Sequence, residues 1–247
     1  MKNVATRKME EMMGSLSRGG TEERRILDAY ARRQHVSRER YSPFNRGNLL
    51  QAQELERCVI ELFRRHSRTH LEGERILEIG CGSGHWLRKF IEWGARPENL
   101  FGIDLIKDRI TAARHLLPPD VTLECSNAAQ LRFADEAFDV VCQLTVFTSI
   151  LDPGLRTRIA SEMLRVLKKK GIILWYDFHV NNPWNADVRR VTKREIIDLF
   201  AGCRLKLWRI TVAPPLARAL GAMPSLVYWT ASGTKIFCTH YVGIIEK

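Results

Sequence analysis

No uninterrupted apolar run in the chain approaches the roughly 18–20 residues that a membrane-spanning helix requires, so no transmembrane segment is expected. The first twenty residues mix Arg, Lys and Glu and lack an apolar stretch, so they are not expected to act as a secretory signal. No two of the six cysteines, Cys58, Cys81, Cys125, Cys142, Cys203 and Cys238, stand in C-x-x-C spacing, and no Cys/His cluster has the spacing of a zinc site. Most of them lie in apolar runs, as buried thiols in a reducing compartment do, and a cytoplasmic location is expected. There is no internal repeat and no low-complexity tract. Acid is scarce relative to base: 39 Lys and Arg oppose 28 Asp and Glu, a net charge of +11. That excess is spread out, since residues 1–72 hold 15 basic and 10 acidic residues. A nucleic-acid binder usually concentrates its charge in a patch, so a basic but unspecialised surface is favoured. With 45% apolar and 27% charged residues the chain can build a core, and disorder is excluded as its dominant state.

Residues 1–20 carry Gly14, Gly19 and Gly20 with no sustained period and are expected to be flexible. A helical extension is expected over residues 21–72, with one helix from Thr21 to Arg33 and a second from Leu49 to His66. The second puts Leu55, Val59, Leu62 and Phe63 on one stripe. From residue 73 short apolar runs alternate with amphipathic segments. Strands are expected at Arg75–Cys81, Leu100–Leu105, Val121–Cys125, Phe138–Leu144, Gly171–Phe178, Leu205–Val212 and His240–Ile245. Helices are expected between most of them. That rhythm predicts an α/β domain, Rossmann-like, with a seven-stranded, mostly parallel sheet and helices on both faces. The 25-odd residues of 213–238 before the last strand are too long for a plain connection and are expected to form a cover. Their apolar and basic character also fits a surface-lying membrane contact.

The chemistry is concentrated in Glu78-Ile79-Gly80-Cys81-Gly82-Ser83-Gly84, where a buried strand runs into G-x-G-x-G and then a helix. Glycines there let the backbone turn sharply and approach a ligand closely. Asp104, at the end of the next strand, can accept hydrogen bonds from both hydroxyls of a ribose. At these residues the chain resembles the class I S-adenosylmethionine-dependent methyltransferases. ILEIGCGSG looks like their first motif and GIDL like their acidic second one. FDVVCQLTVFTSI and RIASEMLRVLKKKGIILWYDF look like the later core segments. The resemblance implies S-adenosylmethionine as cofactor and S-adenosylhomocysteine as product. It implies that Glu78, Gly80, Cys81, Gly82 and Gly84 line the methionine end and that Asp104 holds the ribose. Leu105, Ile106, Asn127 and Ala128 would frame the adenine, and Gln143 and Thr145 would face the sulfonium. Many relatives have Asp where Asn127 stands, and an amide oxygen can still accept from the adenine amino group.

The methyl acceptor is less legible. The place of the Asn/Asp-Pro-Pro-Tyr/Phe box of amino-directed enzymes reads Gln143-Leu144-Thr145-Val146-Phe147. Cys142 lies within its strand rather than after it, unlike the nucleophile of pyrimidine carbon-5 enzymes. Asp152 and Asp177 are the acidic residues near the relevant strand ends, and no metal is expected. After the fifth strand come Tyr176, Asp177, His179 and Asn182, with His179 the expected general base and Asp177 and Tyr176 its neighbours. Tyr41, Phe44 and Asn45 before the core, and Arg218, Tyr228 and Trp229 in the cover, complete the expected acceptor site. The resemblance implies methyl transfer to a small-molecule or saccharide-type acceptor, at oxygen, in a glycan or secondary-metabolite pathway. Nucleic acid is disfavoured as a partner, though the net charge keeps an RNA methyltransferase as an alternative. A non-catalytic cofactor-binding subunit is another, and a homodimer is left open.

Overall fold

The computed structural model describes residues 20–32 and 42–247. Tyr41 and residues 1–19 of the expected flexible terminus lie outside that range. Helix α1 spans 20–32. Helix α2, Arg46–Arg65, buries Leu55, Val59, Leu62 and Phe63, the stripe read from the sequence. It starts three residues earlier than the apolar period suggests, because Asn45 Oδ1 accepts from the amides of Gly47 and Asn48 and caps it.

The strands are β1 Ile76–Ile79, β2 Leu100–Asp104, β3 Thr122–Cys125, β4 Phe138–Leu144, β5 Leu167–Phe178, β6 Arg204–Val212 and β7 Cys238–Glu246. They form one sheet in the order β3-β2-β1-β4-β5-β7-β6. Strands β1 to β5 pair in parallel and β7 runs antiparallel to both β5 and β6. Parallel pairing needs crossovers, supplied here by α3 His85–Glu92, α4 Lys107–Leu116 and α5 Pro153–Val166. Helix α6, Lys193–Leu199, joins β5 to β6. The central strands are covered on both sides, so β1 is buried at all four positions. One core layer holds α2, α3 and α4 with Ile76, Val140 and Leu174. The other holds α5 with Leu77, Val141, Ile173 and Trp175.

Residues 213–238 fold into α7, Pro214–Leu220, and α8, Ser225–Gly233. Val212 pairs with Cys238 and Phe178 with His240, so this segment sits at the carboxyl edge of β5, the edge at which β2 and β4 also end. Among the described residues no helix is long and apolar enough to cross a membrane.

Candidate functional site

At the end of β1 the chain turns through Gly80, Gly82 and Gly84 with φ of +69°, +55° and +77°. L-residues disfavour this region, and two of the three positions also lack room. A Cβ on Gly80 would lie 2.4 Å from Val146 Cγ2, and one on Gly84 2.4 Å from Leu117 Cδ1. Gly82 differs, because its nearest neighbour would be Arg109 Nη1 at 4.0 Å. The backbone therefore leaves a cradle beside Gly82 that a side chain would fill.

Asp104 is buried at the end of β2 and ties this loop to its own strand. Its Oδ2 accepts from the Gly82 amide at 2.9 Å and its Oδ1 from the Ile106 amide at 2.9 Å. A carboxylate has about four acceptor sites, so each oxygen keeps one for a ligand. Arg109 stands 4.0 Å from Oδ2.

Across the cleft, Thr145 follows β4 with φ +64°, an uncommon conformation for a β-branched residue. Its amide donates to Tyr176 O at 2.7 Å and its hydroxyl to Leu144 O at 2.6 Å. Gln143 braces the same turn: its Oε1 accepts from Val146 N at 3.1 Å and its Nε2 donates to Tyr176 O at 3.4 Å. Because both ends of its amide are engaged, Gln143 supports the loop instead of facing a ligand. This corrects the expectation that it meets a sulfonium.

Between these walls lies a cleft of about 740 Å³ including its open mouth. Gly80, Asp104, Leu105, Ile106, Asn127, Ala128 and Thr145 line it, together with the apolar Val146, Ile150 and Ile159. Glu78, Cys81, Gly82, Gly84 and Gln143 lie outside its lining. Glu78 is buried and its Oε2 has no hydrogen-bond partner among the described residues. Burial, and secondarily Asp104, pushes its carboxyl well above the ordinary range. Burial likewise raises the Cys81 thiol. Asn127 Oδ1 accepts from Ala129 N at 2.8 Å, and its Nδ2 donates to Glu23 on α1.

Helix α1 roofs the cleft with Glu23, Ile26 and Tyr30, three residues that the sequence reading did not single out. Glu22 Oε1 accepts from Leu151 N at 2.5 Å, and Arg25 Nη2 donates to Ser149 O at 2.6 Å. The Arg109 guanidinium lies 4.3 Å over the Tyr30 ring. These long-range contacts carry no local sequence signal. Among the described residues no group of three His, Cys, Asp or Glu is placed to hold a metal ion.

The trio expected to be catalytic is elsewhere. His179 Nε2 is 3.1 Å from Cys238 O, so it is a donor there, and the ring lies against Tyr241 at 4.4 Å. Burial, with Arg209 nearby, holds its pKa below the usual histidine value. Tyr176 is buried, its hydroxyl 3.0 Å from Thr211 Oγ1. Asp177 is fully buried, accepting from Phe178 N at 2.8 Å and Thr148 N at 3.1 Å, and burial lifts its pKa to about 7. None of the three lines the cleft. They face β7 and the turn after β4, because β7 pairs directly with β5.

The described residues expected to form the acceptor site do not line the cleft either. Asn45 caps α2, Phe44 is exposed, and Asn182 Oδ1 accepts from Trp184 N. Tyr228 is buried with its hydroxyl on Glu54, Trp229 lies 4.6 Å under the Arg57 guanidinium, and Arg218 is half-buried on α7.

The His240 ring beside Tyr176 yields a pH prediction. It stacks on Tyr176 at 4.6 Å, and burial, with His179 a smaller cause, drives its pKa down to about 3. The unfolded chain takes up a proton below about pH 6.5 that the folded chain refuses, so stability is lost as pH falls from there toward 3. At pH 5 the loss amounts to about 2 kcal/mol. Asp177, raised to about 7, acts oppositely, losing stability as pH rises from about 4 to 7. Comparing the wild type with His240→Phe cancels that contribution. Between pH 7 and pH 5 the wild type is expected to lose about 2 kcal/mol more than the variant, read from thermal unfolding. Parallel pH curves would show that the ring is protonated within the fold.

A sequence profile described as a methyltransferase domain matches residues 76–171. The chain is 33% identical over 155 residues to the phthiotriol/phenolphthiotriol dimycocerosates methyltransferase 1 of Mycobacterium ulcerans, covering 58% of this chain and 55% of that one. It is 33% identical over 132 residues to the fatty-acid O-methyltransferase of Mycolicibacterium smegmatis, covering 52% and 46%. The chain thus spans about half the length of these curated relatives. A solved S-adenosylmethionine-dependent methyltransferase from Methanosarcina mazei superposes with a TM-score of 0.52 at 20% identity, over 73% of this chain and 95% of that one.

Proposed function

We propose, starting from the membership of this chain in the class I S-adenosylmethionine-dependent methyltransferase superfamily, that it moves the methyl group of S-adenosylmethionine to an oxygen of a small, apolar acceptor. The observation that carries this is the pairing of Gly80, Gly82 and Gly84, all left-handed, with Asp104, whose carboxylate is held by the Gly82 amide of that loop and by the Ile106 amide after β2. The residues present fit the cofactor. Gly82 leaves a cradle, Asp104 keeps two acceptor sites for ribose hydroxyls, and the unpartnered Glu78 Oε2 matches the ammonium of a methionine end. When bound, the cofactor supplies an electrophilic methyl carbon.

The protein's own part is then to hold and to exclude. Leu105, Ile106 and Ala128 provide apolar walls for a purine, and Ile26 and Tyr30 close over it and keep water out. Val146, next to Thr145 in its strained turn, forms the wall against Gly80 of the glycine loop. In this reading catalysis rests on holding the acceptor oxygen in line with the methyl carbon and excluding water. An apolar acceptor is supported by one relative's name, a fatty-acid O-methyltransferase, and by the apolar Leu144, Val146, Ile150 and Ile159 in the cleft wall.

The test is calorimetric titration followed by turnover. S-adenosylhomocysteine is expected to bind at one site, and labelled methyl from S-adenosylmethionine to appear on a short-chain fatty acid or phenol. Tighter binding of a nicotinamide dinucleotide would refute the cofactor. Transfer to saccharides but to no apolar acceptor would refute the acceptor class.

A further inference from the structure

The face beyond α2, α7 and α8 carries chemistry that the fold does not use. From residue 199 to 245 the chain contains no Asp or Glu, while it holds Arg204, Lys206, Arg209, Arg218 and Lys235. Between Arg218 and Lys235 lie sixteen consecutive uncharged residues. That run folds into the end of α7, all of α8 and the turn after it. Its inner side is fixed by Tyr228 and Ser232, both bonded to the buried Glu54. Its outer side is apolar and open, with Leu226 74% and Met223 48% exposed, and just past Lys235 the side chains of Ile236 and Phe237 are 77% and 48% exposed. Arg46 Nη2 donates to Ser225 Oγ at 2.7 Å, which brings the 98%-exposed Phe44 to the same end of α8.

Large exposed apolar side chains grouped in an acid-free segment mark an interaction surface rather than ordinary scatter. Apolar residues flanked by Arg and Lys are what an interfacial helix presents to lipid. A second copy of the chain is disfavoured as occupant. An isologous contact would set Arg218 and Lys235 against the same cations with no carboxylate in the segment to pair them.

We propose that this face docks on an anionic lipid surface, with Leu226, Ile236 and Phe237 entering the headgroup boundary and Arg46, Arg218 and Lys235 meeting the phosphates. The segment lies at the same carboxyl edge of the sheet as the glycine loop and Asp104, so docking would bring an apolar acceptor from the bilayer to that edge. That last step rests on the acceptor reading above, whereas the docking itself does not.

The experiment is co-sedimentation of the full chain with vesicles of equal parts phosphatidylglycerol and phosphatidylcholine, and with pure phosphatidylcholine. The chain is expected to pellet with the anionic vesicles, less so as salt rises, and weakly with the neutral ones. Leu226→Asp with Ile236→Asp, and separately Arg218→Gln with Lys235→Gln, are each expected to weaken binding roughly tenfold or more, since each cation at an anionic surface contributes a factor of about five. Both pairs should keep the wild-type unfolding midpoint and S-adenosylhomocysteine affinity, which separates lost docking from lost folding. No pelleting with anionic vesicles would overturn the proposal, as would wild-type binding by the apolar-to-Asp pair. A concentration-dependent dimer that this pair dissolves, without vesicle binding, would overturn it in favour of self-association. Turnover on a water-soluble short-chain acceptor distinguishes the two readings. If it persists without vesicle binding, docking alone fails. If vesicle binding persists without turnover, docking stands and the acceptor reading fails.

Discussion

Asp104→Ala is expected to weaken binding of S-adenosylmethionine and S-adenosylhomocysteine about a hundredfold or more. Two bonds from ribose hydroxyls to a carboxylate contribute roughly 3–6 kcal/mol together, since hydrogen bonds to charged groups are each worth about 1.5–3. The same carboxylate also accepts from Gly82 N and Ile106 N, so alanine releases the glycine loop from β2. Leaving a buried amide without a partner costs about 1–3 kcal/mol. The ligand-free variant should therefore melt lower as well, by more than a residue with a purely ligand-directed role would allow. Asp104→Asn separates the two roles. Its oxygen can hold one amide while its NH₂ opposes the other, so part of the stability returns, but the charge that strengthens the ribose contacts does not. Calorimetry and thermal unfolding on both variants give the answer. Wild-type affinity in a folded alanine variant would remove Asp104 from the ribose site.

The sheet and the glycine loop were legible because their causes are local. Continuous apolar runs of β-branched residues mark strands covered on both faces, and Gly80, Gly82 and Gly84 stand where the backbone needs positive φ. Asp104 followed from its place at a strand end. The second half of the expected site had no such local cause. His179 looked like a base because it follows a central strand, yet β7 pairs with β5, and the ring turns onto the Cys238 carbonyl. Asp177 points to the other side of the same strand and satisfies the Thr148 amide. The roof of the cleft was missed for the converse reason. Glu23, Ile26 and Tyr30 sit about a hundred residues from their partners, and nothing in a short helix announces what it will cover. Asn45 and Tyr228 were singled out as polar or aromatic residues near a boundary, and both serve to close the fold.

Glu54→Ala is expected to cost about 3–5 kcal/mol of stability and to loosen residues 213–238 selectively, since each buried donor left without an acceptor costs about 1–3 kcal/mol. Glu54 is 2% exposed on α2. Its Oε2 accepts from Tyr228 OH at 2.8 Å and from Thr211 N at 3.1 Å, and its Oε1 accepts from Ser232 Oγ. One side chain thus joins α2 to α8 and to a β6 residue whose φ is +66°. One turn earlier Gln51 Nε2 donates to Val212 O at 2.6 Å, so the same helix face grips the end of β6 twice. Alanine leaves a phenol, a hydroxyl and a strained backbone amide without an acceptor. Glutamine should rescue most of the loss, because its oxygen can take the place of Oε2 while its NH₂ donates to Ser232, whose hydroxyl accepts as readily as it donates. The expected order of melting temperatures is wild type, then Glu54→Gln slightly lower, then Glu54→Ala lower by about 6–20 °C, at roughly 2–4 °C per kcal/mol for a chain of this size. Hydrogen exchange locates the effect: amides of 213–238 should lose protection in the alanine variant while those of β1, β4 and β5 keep theirs. If glutamine is as damaging as alanine, the network needs the charge and not merely the acceptor. If protection falls evenly across the sheet, Glu54 holds the whole fold together and the cover has no separate anchor.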